Sequence, residues 1–141
     1  MIDAGNDPFV QRIQAMAADN GWSLEDAEEG FAMLSFPFSS GHKQMIFISD
    51  YDDMIEFEVS SSRLPVTQLE QIPAEFAIAL LQMNAQSKLG FWCIDGTEAP
   101  YRISLMYNAD ARHLSAGRFG EIVRSLATNV EDLEEQLLPS E

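Results

Sequence analysis

Apolar positions along the chain switch between a helical and an extended period, and the switches mark out its elements. Phe9, Ile13 and Met16 recur at helical spacing with Val10 and Ala17 beside them, which predicts an amphipathic helix with one buried face. Asp7 is placed to accept from its first amides, and Pro8 suits the first helical position. Asn20-Gly21 ends it, with Trp22 set to fold back over the last turn. Residues 24–30 are acidic through Glu25, Asp26, Glu28 and Glu29, and read as a loop or an exposed edge. Strands are expected over 31–38, 44–49 and 54–60. In the last of these Ile55, Phe57 and Val59 alternate with Glu56 and Glu58, giving one dry face and one wet face. The short links at 39–42 and 50–53 point to an antiparallel meander.

A linker over 61–66, containing Pro65, leads to a second helix over 73–84. Ile72, Phe76, Leu80 and Met83 share one of its faces, while Ile78 and Leu81 lie elsewhere, so it is apolar nearly all round. Such a helix is expected to be covered on more than one side, by two layers of its own chain or by a partner subunit. Two further strands, 89–94 and 101–108, flank the turn signal Asp95-Gly96 in a loop lengthened by Pro100. Ser115 is a cap for the last helix, with Leu114 and Phe119 spaced as a hydrophobic staple. Phe119, Ile122, Val123, Leu126, Val130, Leu133 and Leu137 form its apolar stripe. Glu131, Asp132, Glu134 and Glu135 oppose the helix dipole near its end, which predicts fraying there. The order α-β-β-β-α-β-β-α defines an α+β fold over 1–141, a single domain with helices packed on a mostly antiparallel sheet.

Charge narrows the function. Eight Lys and Arg face 23 Asp and Glu in 141 residues, a formal net charge of −15. A surface with so few cations has little to exchange for the counterions of nucleic acid or an anionic membrane, so neither is an expected partner. The single Cys93 forms no intramolecular disulfide, the first residues lack the basic and apolar regions of a signal peptide, and no apolar run reaches the ~20 residues of a membrane span. A cytoplasmic location is the expectation.

No constellation of residues calls for catalysis, a cofactor or a metal. Asp50, Asp52 and Asp53 lack the ligand spacing of a calcium loop and fit a hairpin turn, where Asp bonds its own backbone. His42 and His113 stand far apart without a nearby His or Cys and read as loop residues. Cys93, between Trp92 and Ile94, reads as buried core rather than as a nucleophile beside a base. Glu56 and Glu58 fit a solvated strand face. Gly117 and Gly120 lack the lysine and repeat of a phosphate loop, and Phe91, Trp92, Tyr101 and Tyr107 fit core packing better than base stacking without cations.

The run Leu80-Leu81-Gln82-Met83-Asn84, followed by Lys88-Leu89-Gly90-Phe91-Trp92-Cys93-Ile94-Asp95-Gly96 and by Tyr101-Arg102-Ile103-Ser104-Leu105, resembles the YbjN-type domain. The resemblance covers roughly residues 45–137, and the architecture is similar to that of class I type III secretion chaperones, the Tir-chaperone-like fold. It implies a protein-binding role without catalysis. YbjN-type proteins are linked to regulation, and the chaperones hold unfolded segments of secreted proteins as homodimers. The family supplies no catalytic residues to carry over. Asn84 matches its helix-ending asparagine, with an amide able to cap the helix or brace the following loop.

Overall fold

A computed structural model describes residues 4–64, 71–96, 98 and 101–137. The expectations placed on Pro65, Val66 and Pro100 lie outside the described residues. Helix α1 (Pro8–Asp19) is followed by strands β1 (Leu24–Glu28), β2 (Phe31–Pro37), β3 (Lys43–Tyr51) and β4 (Met54–Ser60). Helix α2 (Ala74–Gln86), strands β5 (Phe91–Asp95) and β6 (Arg102–Asp110), and helix α3 (Ala116–Leu137) complete the chain. All strands pair antiparallel in one six-stranded sheet, ordered β1-β2-β3-β4-β6-β5. The α+β class and the helix order therefore stand, with one strand more than the apolar pattern marks.

That extra strand is the acidic segment after Trp22. It is the exposed edge, pairing Ala27 with Ala32 and Glu28 with Phe31, and it slips register between Leu24 and Asp26. A short, bulged, charged edge resists pairing with stray strands, which is a physical reason for acid where alternation would signal a strand.

Helix α1 begins as its residues dictate. Asp7 Oδ1 accepts from Phe9 N at 3.0 Å, while its Oδ2 accepts from Gly30 N at 2.6 Å, tying the helix start to the β1–β2 turn. Trp22 N returns to Ala17 O across Gly21, whose φ of 80° lies in the left-handed region. Helices α1 and α3 cover one face of the sheet, burying Ile13, Ile46, Ile48, Phe57, Leu105, Phe119, Ile122 and Leu126 between them. Gly120 permits their close approach. A Cβ there would collide with Asn20 Oδ1, whose amide is fixed by donating to Met16 O and Ala116 O, both at 2.9 Å.

Ser115 caps α3, its Oγ accepting from Arg118 N at 3.1 Å, and Leu114 and Phe119 are both buried. Helix α3 runs to Leu137, the last described residue. Glu131 and Glu134 are 5 % and 0 % exposed, and Gln44 of β3 and Ser61 at the β4 exit donate hydrogen bonds to them.

Candidate functional site

Helix α2 differs from its expected burial. Leu80 alone is buried, while Ile78, Leu81 and Met83 are 54 %, 68 % and 40 % exposed. Among the described residues α2 packs chiefly against β5, at the margin of the sheet, and much of its apolar surface is left uncovered. Asn84 holds it there. The amide accepts from Trp92 N at 2.6 Å through Oδ1 and donates to Trp92 O at 3.1 Å through Nδ2. Both outward-facing backbone groups of Trp92 are thus satisfied by the helix, which continues two residues past Asn84. Of the two roles open to this amide, it takes the bracing one, and the group braced is the edge strand. Gly90, with φ 93°, lets the chain entering β5 lie against α3 and β6, since a Cβ there would be 2.9 Å from Leu126 Cδ2 and 3.2 Å from Leu105 Cδ1.

Ile94 (40 % exposed) extends this apolar surface along β5, whereas Phe91 (39 %), opposite Met106, stands on the other face of the sheet. Ala77, Leu80, Leu81, Trp92, Cys93 and Ile94 line a hollow of about 180 Å³ between helix and strand. A wider hollow of about 330 Å³ opens at the other end of α2, with Met83, Trp92 and Leu133 in its lining and Asn129, Asp132 and Gln136 facing them. Large aliphatic side chains left to water across one continuous face mark an interaction surface.

The sheet face turned away from α1 and α3 carries Phe31, Met33, Met45, Phe47 and Met106, each half-exposed. Phe31 and Phe47 stack with centroids 6.1 Å apart. Among these groups Glu58 is half-buried rather than solvated. Loss of water, then a hydrogen bond to Asp95, pushes its carboxyl up to about 7. That same hydrogen bond, with Arg102 at 3.1 Å, holds Asp95 below the usual carboxylate range. Of the two, Glu58 holds a proton the more readily and Asp95 keeps its charge the more readily, above the buried Ser104, whose Oγ lies 2.9 Å from Ser60 Oγ. Glu56 is also raised, by burial first and then by the Asp95 charge.

The remaining candidates sort by contact. Cys93 is half-buried beside these carboxyls and not in the core proper. Burial first, and then the Glu58, Asp95 and Glu56 charges, push its thiol up to about 11, which suppresses the thiolate. Asp50 Oδ1 accepts from Asp52 N at 3.0 Å with Asp52 at φ 62°, the self-bonded turn expected there. Trp92 is buried, Tyr101 and Tyr107 are half-buried, and Phe91 stands out from the core. Gly117 and Gly120 lie within the first turns of α3. His113 is exposed, 3.9 Å from Asp110.

His42 is more than a loop residue: its Nδ1 lies 2.9 Å from Glu131 Oε2. The structure gathers it with Gln44, Ser61, Arg63, Glu131 and Glu134 at the end of α3. Gln44 Nε2 donates to Glu131 at 2.9 Å and Glu134 at 2.8 Å, and Ser61 Oγ donates to Glu134 at 2.5 Å. Burial raises the Glu131 carboxyl, but the His42 and Gln44 hydrogen bonds outweigh it and leave the group below its ordinary value. The i, i+3 spacing of Glu131 and Glu134 on the apolar stripe was the sequence signal for this cluster, since Val130 and Leu133 flank them on the buried side.

No family model and no curated protein sequence matches the chain. Solved structures do, at the level of fold. YbjN from E. coli, described as a candidate transcription regulator, superposes with a TM-score of 0.62 at 14 % identity, over 89 % of this chain and 87 % of that one. A chain of the heterodimeric ExoU–SpcU complex from the type III secretion system of Pseudomonas aeruginosa gives 0.61 at 17 %, over 91 % and 99 %. A chain of the HopA1–SchA chaperone–effector complex gives 0.63 at 11 %, over 96 % and 99 %. The fold is the one shared by YbjN and the type III secretion chaperones. Among the described residues, no helix is long and apolar enough to cross a membrane.

Proposed function

We propose that this protein is a non-catalytic, homodimeric protein-binding domain of YbjN type that acts as a regulator or adaptor in the cytoplasm. The observation that carries the reading is the apolar face of α2 and β5, with Leu81 68 % exposed at its centre and Asn84 fixing the helix against the strand. A second copy related by a two-fold axis covers such a face with itself, giving each helix the second layer its own chain lacks. The uncovered sheet face then remains for a partner polypeptide. Its aromatic and methionine side chains offer adaptable apolar contact, and its acids favour a basic or amphipathic segment. Regulation through protein contact also fits the net charge of −15, which opposes direct binding to DNA.

The second reading is a dedicated type III secretion chaperone holding an unfolded segment of a secreted effector, supported by the fold shared with the chaperone–effector complexes. Affinity capture from the native cell with mass spectrometry separates the two. Several cytoplasmic signalling proteins favour the regulator, one co-encoded secreted client favours the chaperone, and a bait that retains no polypeptide contradicts both.

A further inference from the structure

The polar cluster at the end of α3 contains a contact that the protein's own groups leave unresolved. His42 Nδ1 lies 2.9 Å from Glu131 Oε2 and 3.2 Å from Arg63 Nη1. A ring nitrogen that carries its proton donates to the carboxylate but meets the guanidinium N–H head on. A bare nitrogen accepts from Arg63 but faces the carboxylate lone pairs. One of the two contacts is unmet in every protonation state. A metal ion bound to both Nδ1 and Oε2 removes the conflict, and Arg63 keeps its ion pair with Glu134, at 3.8 Å.

A third ligand stands beside them. Glu135, one turn beyond Glu131 on α3, has a carboxylate oxygen within 4.8 Å of a ring nitrogen of His42 and of a carboxylate oxygen of Glu131. Ligand atoms held about 2.0–2.2 Å from a zinc ion require a modest inward swing from that spacing, and Glu135 is exposed and free to make it. Glu131 is already aimed. Its other oxygen is pinned by Gln44 Nε2, itself 2 % exposed, so that Oε2 is the one turned toward the ring.

We propose that His42, Glu131 and Glu135 form a binding site for a borderline divalent transition metal of the zinc class, joining the β2–β3 hairpin to α3. One imidazole with two carboxylates suits zinc, whereas calcium and magnesium demand more oxygens than the cluster supplies. Arg63 is the internal competitor, a fixed positive charge against the same three ligands. Its removal strengthens metal binding.

Calorimetric titration of the full-length protein with Zn²⁺, and with Co²⁺ followed by visible absorption, tests this. One ion binds per chain, tighter than Ca²⁺ or Mg²⁺ by about tenfold or more, and raises the melting temperature. His42→Ala and Glu135→Gln each weaken binding about tenfold or more, with Glu135→Gln serving as the variant whose exposed site leaves folding intact. Arg63→Gln tightens binding severalfold, while Arg112→Gln, His113→Ala and Cys93→Ser leave it unchanged. The proposal is overturned if Zn²⁺ does not bind, if Glu135→Gln binds as the wild type does, or if Ca²⁺ competes equally; the latter two outcomes describe diffuse attraction to an acidic surface.

Discussion

Replacing Asn84 with alanine isolates the joint between α2 and the sheet. The substitution deletes the acceptor for Trp92 N and the donor to Trp92 O, contacts of 2.6 and 3.1 Å. Two hydrogen bonds at about 1 kcal/mol each set an upper scale near 2 kcal/mol. Ala is the better helix former by roughly half a kcal/mol, which offsets part of the loss. Water reaching the freed edge of β5 offsets a little more. The expected net destabilisation is about 1–1.5 kcal/mol in urea denaturation, with both proteins at the same chain concentration because the proposed dimer would add to the measured stability. Hydrogen exchange gives the local counterpart: the Trp92 amide loses protection, while amides of β3 and β4 change only by the global amount. Asn84→Asp keeps an acceptor for Trp92 N but sets a carboxylate against Trp92 O, and is expected to cost at least as much as alanine. A variant within about 0.3 kcal/mol of wild type, with Trp92 exchange unchanged, would refute the joint.

Other expectations rest on the same structure. Glu58 has a folded-state pKa of about 7, above the ordinary 4.5, so the folded state binds the proton more tightly and stability falls as pH rises through that interval. Glu58→Gln removes the penalty. At 1.36 kcal/mol per pH unit the interval bounds the gain near 3 kcal/mol, and solvent screening of this half-buried group reduces it to about 1–2 kcal/mol above pH 7.5. The gain vanishes toward pH 4.5, as denaturation across pH will show. Glu134→Ala removes the acceptor of Ser61 Oγ and one of the two acceptors of Gln44 Nε2 in a dry site and costs about 3 kcal/mol, whereas surface Glu121→Ala stays within about 0.5 kcal/mol. Gly120→Ala drives a methyl group into the doubly bonded Asn20 amide and lowers stability by about 1–3 kcal/mol in the same assay.

The sequence announces those parts of the fold whose periodicity and punctuation agree. Asp7-Pro8, the Ser115 cap and the staple of Leu114 on Phe119 all sit where helical geometry requires them, and Ile55, Phe57 and Val59 alternate as a sheet with one dry face must. Strand β1 is hidden because an edge is protected by the charges that erase alternation. The α2 surface is legible as an excess of apolar residues. Whether chain or partner covers it depends on where the helix lands, and Asn84 decides that through two backbone contacts that composition does not encode. The cluster around Glu134 is harder still. A run of acids on an amphipathic helix reads as solvated until Gln44, Ser61 and Arg63 arrive from β3 and the β4 exit, between 71 and 90 residues away. Glu58 is concealed in the same way, since only the sheet order brings Asp95 across β6 to meet it.

The central claim is that the apolar face of α2 and β5 joins two copies of this chain. Burying Leu81 is worth about 1.5 kcal/mol or more per subunit, and the two-fold axis counts it twice, so Leu81→Glu raises the dimer dissociation constant by roughly two orders of magnitude. Light scattering coupled to size exclusion, at tens of micromolar chain, reads this directly. The account predicts a mass of twice 15.8 kDa for the wild type and a shift to 15.8 kDa for Leu81→Glu. A wild-type protein that elutes as a monomer, or a Leu81→Glu variant that remains fully dimeric, would contradict it.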